Sequence, residues 1–211
     1  MNKAKSRLLL QIFAILFSLQ VIRIISKSVI FLFTPKTELS YVIASSILML
    51  LLTGAILLFC KMKDIPLSVF PTKRKIFYII FTVVALALLI STPIITRDNS
   101  LYAISMLMYS TIITPIFEEL IFRGFVWNKL REAFHKERSI YIISTFLFAF
   151  WHIGYVDTLL FRVPNGNVFH LIFMKVIVGL GFGIILGMVR YKAKNCYSTM
   201  LLHGVMNIFG R

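Results

Sequence analysis

The sequence is poor in the residues that soluble and secreted proteins rely on. Only 8 of its 211 residues are acidic, and charged residues make up 15% of the chain, so no segment is long and polar enough to form a soluble domain. The two cysteines, Cys60 and Cys196, are too few for a disulfide framework. The alternation of apolar and polar residues that a membrane β-barrel requires is also absent. These absences exclude a soluble enzyme, a disulfide-stabilised secreted domain and a barrel.

Apolar sequence dominates what is present. Hydrophobic residues make up 59% of the chain and its mean hydropathy is +0.88, whereas a soluble domain is about 45–50% apolar. Recurrent apolar runs predict an all-α fold, a polytopic membrane helical bundle of about seven transmembrane helices. The predicted spans are Leu8–Phe33, Tyr41–Phe59, Ile76–Ile95, Leu101–Trp127, Ile140–Leu160, Val168–Val189 and Tyr197–Phe209. The seventh is shorter than the ~20 residues that a span usually needs.

The positive charge of the chain predicts its orientation. In a soluble protein a net charge of +15 would indicate nucleic-acid binding, but here Lys and Arg lie at the ends of apolar runs. Such cations set the topology and contact anionic lipids, so we expect membrane lipids, and no nucleic acid, as partners. With a cytoplasmic N-terminus, most of the cations fall inside, and the outside segments hold Arg23, Lys27, Lys36, Arg97, Arg162 and Arg211. This bias predicts an integral, multi-pass membrane protein with its N-terminus in the cytoplasm.

Polar clusters divide the chain into two parts. Residues 1–100 carry no recognisable motif, whereas residues 101–211 hold three polar clusters inside apolar runs. An ionisable residue at membrane depth costs several kcal/mol and is by default a candidate for function. The clusters consist of Glu118, Glu119 and Arg123, then Phe148 and His152, then His203 and Asn207.

Helical geometry predicts that these clusters meet. Residues four apart share one helix face, so Glu119 can pair with Arg123 while Glu118 points elsewhere. At ~1.5 Å per residue, the predicted helix ends place Glu118, His152 and His203 in one layer. We expect this layer in the cytoplasmic half of the membrane, in a pocket that is reachable from the cytosol. A plain structural ion pair between two helices is the simpler interpretation, but it needs one glutamate rather than two.

Two chemistries fit the set. His152, His203 and Glu118 can bind Zn²⁺ and leave one position open for water, although Asn207 would be a poor further ligand. Alternatively, Glu118 acts as general base on a water held by the histidines, and Asn207 donates to a developing oxyanion. In both cases the reaction is attack by water on a carbonyl group.

Two further features bear on the helices around this layer. Gly179, Gly183 and Gly187 recur at every fourth residue of the sixth span, which predicts a groove for close helix packing. Pro115 predicts a kink in the fourth span, three residues before Glu118. We expect Tyr155, like the two tryptophans, to be a packing or interface residue.

The three clusters resemble those of the type II CAAX prenyl protease family. This is also called the CPBP or Abi family of intramembrane proteases, and it has bacteriocin-immunity members in bacteria. The family pattern of two glutamates, three residues and arginine, then Phe-x-x-x-His and His-x-x-x-Asn, is matched without substitution over roughly Leu101–Phe209.

The resemblance implies an endopeptidase that cleaves near the membrane. Its catalytic residues would be Glu118, Glu119, Arg123, His152, His203 and Asn207. Glu118 would activate water, and the others would hold the water or a metal, with zinc-dependent and metal-free mechanisms both open. In eukaryotic members the substrate is a prenylated peptide, so a peptide or protein, lipidated or not, is the implied partner. The small size and compact loops are typical of bacterial members, which predicts a bacterial plasma membrane and a role in bacteriocin immunity or peptide processing.

Two other functions are compatible with the sequence. A non-catalytic immunity protein could sequester a peptide or a receptor. A proton-coupled transporter could use Glu118, Glu119 and the histidines as a relay, although no inverted repeat is apparent.

Overall fold

The computed structural model describes residues 3–210, so Arg211, assigned above to the outside, lies beyond the described range. Most of the described residues are helical and none forms a strand, which confirms the predicted all-α bundle. The helices are α1 (Lys3–Phe33), α2 (Glu38–Met62), α3 (Lys75–Thr96), α4 (Leu101–Arg131), α5 (Glu137–Arg162), α6 (Val168–Ala193) and α7 (Tyr197–Phe209). By length and composition α1 to α6 can cross a membrane, while α7 has 13 residues.

The helix ends gather into two faces, and contacts between loops identify them. The basic face holds the ends near residues 3–7, 61–75, 129–138 and 190–197; there Lys5 lies over the Phe134 ring, and Lys194 lies 3.8 Å from a Glu137 oxygen. The opposite face holds the ends near residues 33–38, 96–101, 162–168 and 209–210. The cation bias of the sequence makes the basic face the predicted cytoplasmic one.

Helix α4 is the centre of the bundle. Half of its most apolar stretch is buried, whereas α3 has no buried residue. The Ser100 side chain caps α4 by accepting a hydrogen bond from Ala103 N. Two π-helical turns interrupt α4, and Pro115 lies just after the first of them. The disturbance that Pro115 predicted therefore takes the form of a wider helical turn, which leaves backbone carbonyls for tertiary partners.

Small residues let α6 approach α5 closely, as the glycine spacing predicted. Gly179, Gly183 and Gly187 are buried. A Cβ at Gly183 would lie 3.2 Å from the Thr145 carbonyl oxygen, and one at Gly187 would lie 2.6 Å from the Tyr141 ring. The predicted close packing along this stripe is confirmed.

A 3₁₀ turn at His152–Tyr155 breaks α5 and is held by α1. Gln20 Nε2 donates to the carbonyl of Trp151 at 2.9 Å, and Arg23 Nη2 donates to the carbonyl of Gly154. Both carbonyls lie where the turn interrupts the α-helical hydrogen-bond pattern. The motif-free N-terminal part thus positions a segment that carries one of the polar motifs.

Asp157 neutralises two cations deep in the bundle. Its carboxylate pairs with Lys27 and with Arg23, and accepts a hydrogen bond from Tyr41 Oη at 2.9 Å. Arg23 is 1% exposed and Lys27 is 2% exposed. The sequence treated these two cations as charges of outside segments. The structure instead shows buried side chains paired with a carboxylate that lies far along the chain.

Replacing Asp157 by Asn should destabilise the protein strongly. The change leaves Lys27 and Arg23 buried without a counter-charge, and breaking a buried pair costs about 3–5 kcal/mol. The free energy of unfolding in mixed detergent micelles measures the effect.

Glu132→Gln is the matched control, because its pair with Lys129 is 2.8 Å long but Glu132 is 54% exposed. Exposed pairs contribute less than about 1 kcal/mol. Equal losses for the two variants would contradict the buried-network assignment.

Candidate active site

The two adjacent glutamates on α4 have different partners. Glu119 is fully buried between a cation and an imidazole: Arg123 Nε lies 3.3 Å from its Oε2, and His203 Nδ1 donates to its Oε1 at 3.0 Å. The expected pairing of Glu119 with Arg123 is confirmed. Because both of its oxygens are engaged, Glu119 serves to hold α4 and α7 together.

Arg123 is fully buried and contacts two further helices. Its guanidinium lies 4.2 Å from the centre of the Phe148 ring on α5, and Nη2 donates to the Gly183 carbonyl on α6 at 3.4 Å. A cation over an aromatic face is stabilised by the ring quadrupole. This contact gives the phenylalanine of the second motif a structural role beside the buried arginine.

Glu118 is buried but keeps one oxygen for chemistry. Its Oε1 accepts a hydrogen bond from Tyr155 Oη at 2.5 Å, while its Oε2 lies 3.9 Å from His203 Nε2. That gap is too long for a direct hydrogen bond and suits a shared small partner such as water. Tyr155 was expected only to pack. Its position three residues after His152, on the same side of the helix, is the signal that could have identified it.

The two histidines bind a protein oxygen through the same ring nitrogen, Nδ1. His203 Nδ1 faces the Glu119 carboxylate, and His152 Nδ1 lies 2.8 Å from the Phe148 carbonyl. Carboxylate and carbonyl oxygens accept hydrogen bonds, so each Nδ1 carries the proton. In the neutral rings, each Nε2 is then an acceptor.

Asn207 reaches the site from α7 beside the first π-helical turn. Its Nδ2 donates to the Ser110 carbonyl at 2.7 Å, and a primary amide has a second N–H. Gly204 permits this approach, because a Cβ there would collide with the Thr111 carbonyl oxygen. The third motif therefore packs directly against the first π-helical turn of α4.

A cavity of about 310 Å³ connects these groups. Glu118, His152 and His203 line it together with Gly210 and the following residues of α4 to α7: Met106, Tyr109, Ser110, Thr114, Tyr155, Thr158, Leu159, Arg162, Lys175, Val178, Gly179, Phe182 and Asn207. The structure therefore brings the predicted residues Glu118, His152, His203 and Asn207 to one space. Glu119 and Arg123 lie behind it.

The cavity extends to the face that the sequence did not predict. From Glu118 its lining continues to Met106, Arg162 and Gly210, which lie near helix ends of the opposite face. Sequence reasoning had placed access on the basic face. The difference arises because depth along a helix locates a side chain but does not tell which side of the layer is packed.

Packed side chains close the basic side of the layer. Phe122, Val126 and Trp127 are fully buried there. Arg190 is fully buried as well, and its Nε donates to the Arg123 carbonyl at 2.8 Å. Arg190 therefore belongs to the packed interior at the basic end of α6.

The donors do not fit a metal site in this arrangement. Among residues 3–210, no three side chains of His, Cys, Asp or Glu are grouped so that they could hold a metal ion. Zinc binding by His152, His203 and Glu118 therefore stays a prediction from the sequence.

Comparison with known proteins identifies a family. The model of a family described as type II CAAX prenyl endopeptidase, Rce1-like, matches residues 99–209, just over half of the chain. No curated protein and no solved structure matches the chain.

Gly179→Ala should disturb the site, because a Cβ there would lie 2.6 Å from His152 Nδ1. Overpacking of this kind costs about 1–3 kcal/mol. The unfolding temperature in detergent should fall.

Gly181→Ala, on the same helix, is the control, since nothing lies within 4 Å of its Cβ position. Alanine favours a helix over glycine by about 1 kcal/mol, so this variant should match or exceed the parent. A fall of the same size in both variants would count against the contact between Gly179 and His152.

Proposed function

Because the chain belongs to the Rce1-like family of type II CAAX prenyl endopeptidases, we propose that it is an intramembrane endopeptidase in which Glu118 activates water. The family implies a protease embedded in the membrane. The observation that carries the mechanism is the position of Glu118: it is 2% exposed, its Oε1 is held by Tyr155, and its Oε2 faces His203 across 3.9 Å.

Attack is the first step. A water between Glu118 Oε2 and His203 Nε2 gives a proton to the carboxylate as its oxygen bonds to the carbonyl carbon of the scissile peptide bond. The hydrogen bond from Tyr155 orients the carboxylate. Electrons of the C=O bond move to the oxygen, and the free N–H of Asn207 donates to this developing oxyanion.

Collapse is the second step. The oxyanion reforms the C=O bond as the C–N bond breaks, and Glu118 returns its proton to the departing amine nitrogen. The products are a new carboxyl group and a new amino group, and Glu118 is ionised again. His152 Nε2, an acceptor on the wall of the same cavity, helps to hold the water.

Glu119 and Arg123 act as positioning residues in this scheme. Glu119 keeps the proton of His203 on Nδ1, so that Nε2 remains available toward Glu118. Arg123 offsets the charge of Glu119. Neither contacts the space where the substrate bond would lie.

The biological setting is also proposed. The short loops between the helices, typical of bacterial members of the family, are the basis for proposing a bacterial plasma-membrane protease that acts on a peptide or protein, lipidated or not. Bacteriocin immunity or peptide processing is the corresponding role.

Glu118→Gln and Glu119→Gln should separate catalysis from stability. Glutamine at 118 keeps an oxygen to accept from Tyr155 but cannot take a proton, so cleavage of a peptide library, followed by mass spectrometry, should fall at least ~100-fold. Its unfolding temperature should stay near that of the parent.

Glutamine at 119 leaves Arg123 buried without its counter-ion, which costs about 3–5 kcal/mol. That variant should unfold at a clearly lower temperature. Cleavage that survives Glu118→Gln would disprove the proposed role of Glu118. Protection against a bacteriocin that survives Glu118→Gln, in a protein that cleaves nothing, would favour the non-catalytic immunity function.

Zinc chelation should leave cleavage intact, because the mechanism draws on a carboxylate, two imidazoles and an amide alone. The check is peptide cleavage by purified protein in an excess of chelator, beside elemental analysis for zinc. A zinc peptidase treated in parallel shows that the chelator works in the detergent used. Activity that disappears with chelator and returns with added zinc would replace this mechanism by the zinc one.

A further inference from the structure

The cavity around Glu118 has one closed end and one open end. On the basic side lie Phe122, Val126, Trp127 and Leu130, each fully buried. On the other side the walls continue past Glu118 to residues near the ends of α4, α5, α6 and α7. A polypeptide segment can therefore reach Glu118 from one face only.

The open end of the cavity is lined by charged side chains and also borders the outer surface of the helix bundle. Arg162 and Lys175 both line the cavity and are exposed, so charged side chains stand along the route toward Glu118. Val178 also lines it and is 54% exposed on the outer surface of α6. Water and an extended peptide can enter from this face, or a segment can slide in from the lipid beside it.

The distribution of Lys and Arg indicates on which side of the membrane the open face lies. Long apolar helices orient so that Lys and Arg remain in the cytoplasm. The basic face holds the following cations: Lys3, Lys5, Arg7, Lys61, Lys63, Lys73, Arg74, Lys75, Lys129, Arg131, Lys136, Arg138, Lys192 and Lys194. Among the described residues, the ends at the opposite face hold Lys36, Arg97 and Arg162, since Arg23 and Lys27 are buried against Asp157.

We propose that the catalytic cavity opens to the non-cytoplasmic side of the membrane, and that its substrates are polypeptide segments presented there. That these segments are substrates rests on the proposed protease function. The side to which the cavity opens does not depend on that function. Exported peptides and membrane proteins with segments in or near the outer leaflet are the matching substrate class. Segments confined to the cytoplasm are excluded by the packed floor of the site.

Cysteine accessibility tests the open side directly. Leu159→Cys and Met106→Cys each place a thiol on the cavity wall. The variants are labelled in spheroplasts of a bacterial expression host. Asn165→Cys, in the exposed loop of the opposite face, and His135→Cys, on the exposed basic face, are the two controls. The probe is a membrane-impermeant charged maleimide, added outside and then again after the membrane is opened.

The native thiols give little background. Cys60 is 1% exposed and Cys196 is fully buried. Burial also raises the pKa of the Cys196 thiol to about 12, so almost no reactive thiolate forms at neutral pH. Unsubstituted protein treated in parallel measures what remains.

We expect Leu159→Cys, Met106→Cys and Asn165→Cys to react in sealed spheroplasts, and His135→Cys to react at least ~10-fold more after opening than before. Asn165→Cys reacting only after opening would reverse the orientation and overturn the proposal. Two unreactive cavity cysteines beside a reactive Asn165→Cys would show a closed mouth and overturn it as well.

The same labelling in a Glu118→Gln background separates the two proposals. Labelling needs no cleavage, so it should be unchanged there. If peptides are never cleaved while the cavity cysteines react from outside, the protease assignment fails and the open side stands. If peptides are cleaved but the cavity cysteines react only after the membrane is opened, the protease assignment stands and the proposed open side fails.

Discussion

A buried ion pair in an apolar bundle, Glu119 with Arg123, is the interaction on which the candidate site depends. Each charge would cost several kcal/mol at this depth if it stood alone. Their partners come from every other helix of the site: His203 from α7, Phe148 from α5 and the Gly183 carbonyl from α6. One pair therefore fixes four helices to one another. It also leaves the adjacent Glu118 as the carboxylate whose charge has no such partner.

Irregular helical turns supply the remaining fixed points. In a regular helix each carbonyl is bound four residues later, and a wider turn weakens that pattern. The Ser110 carbonyl, in the first π-helical turn, accepts from Asn207, and the Arg123 carbonyl, in the second, accepts from Arg190. Inside a membrane no bulk water would satisfy these oxygens. The turns and the buried polar side chains therefore require each other.

Local sequence predicted much of this structure because two of its signals are local. Apolar length gave the helices, and four-residue spacing gave the shared face of Glu119 and Arg123. What escaped prediction depends on distant pairs. Arg23 looked like a surface cation because Asp157, its partner, lies 134 positions away, and a helical pattern cannot reveal on which side of Glu118 the bundle is packed.

The motifs suggest a boundary near residue 100, but side-chain contacts that support the site cross it. The family match begins at residue 99, and the division at residue 100 stays a prediction, yet α1 completes the site. The guanidinium of Arg23 lies 4.4 Å from the centre of the Tyr155 ring, and Tyr155 donates to Glu118. Three side chains thus link an N-terminal helix without a motif to the carboxylate proposed to do the chemistry. Selection on such a helix would act through the orientation of a phenol, which a search for short polar motifs does not detect.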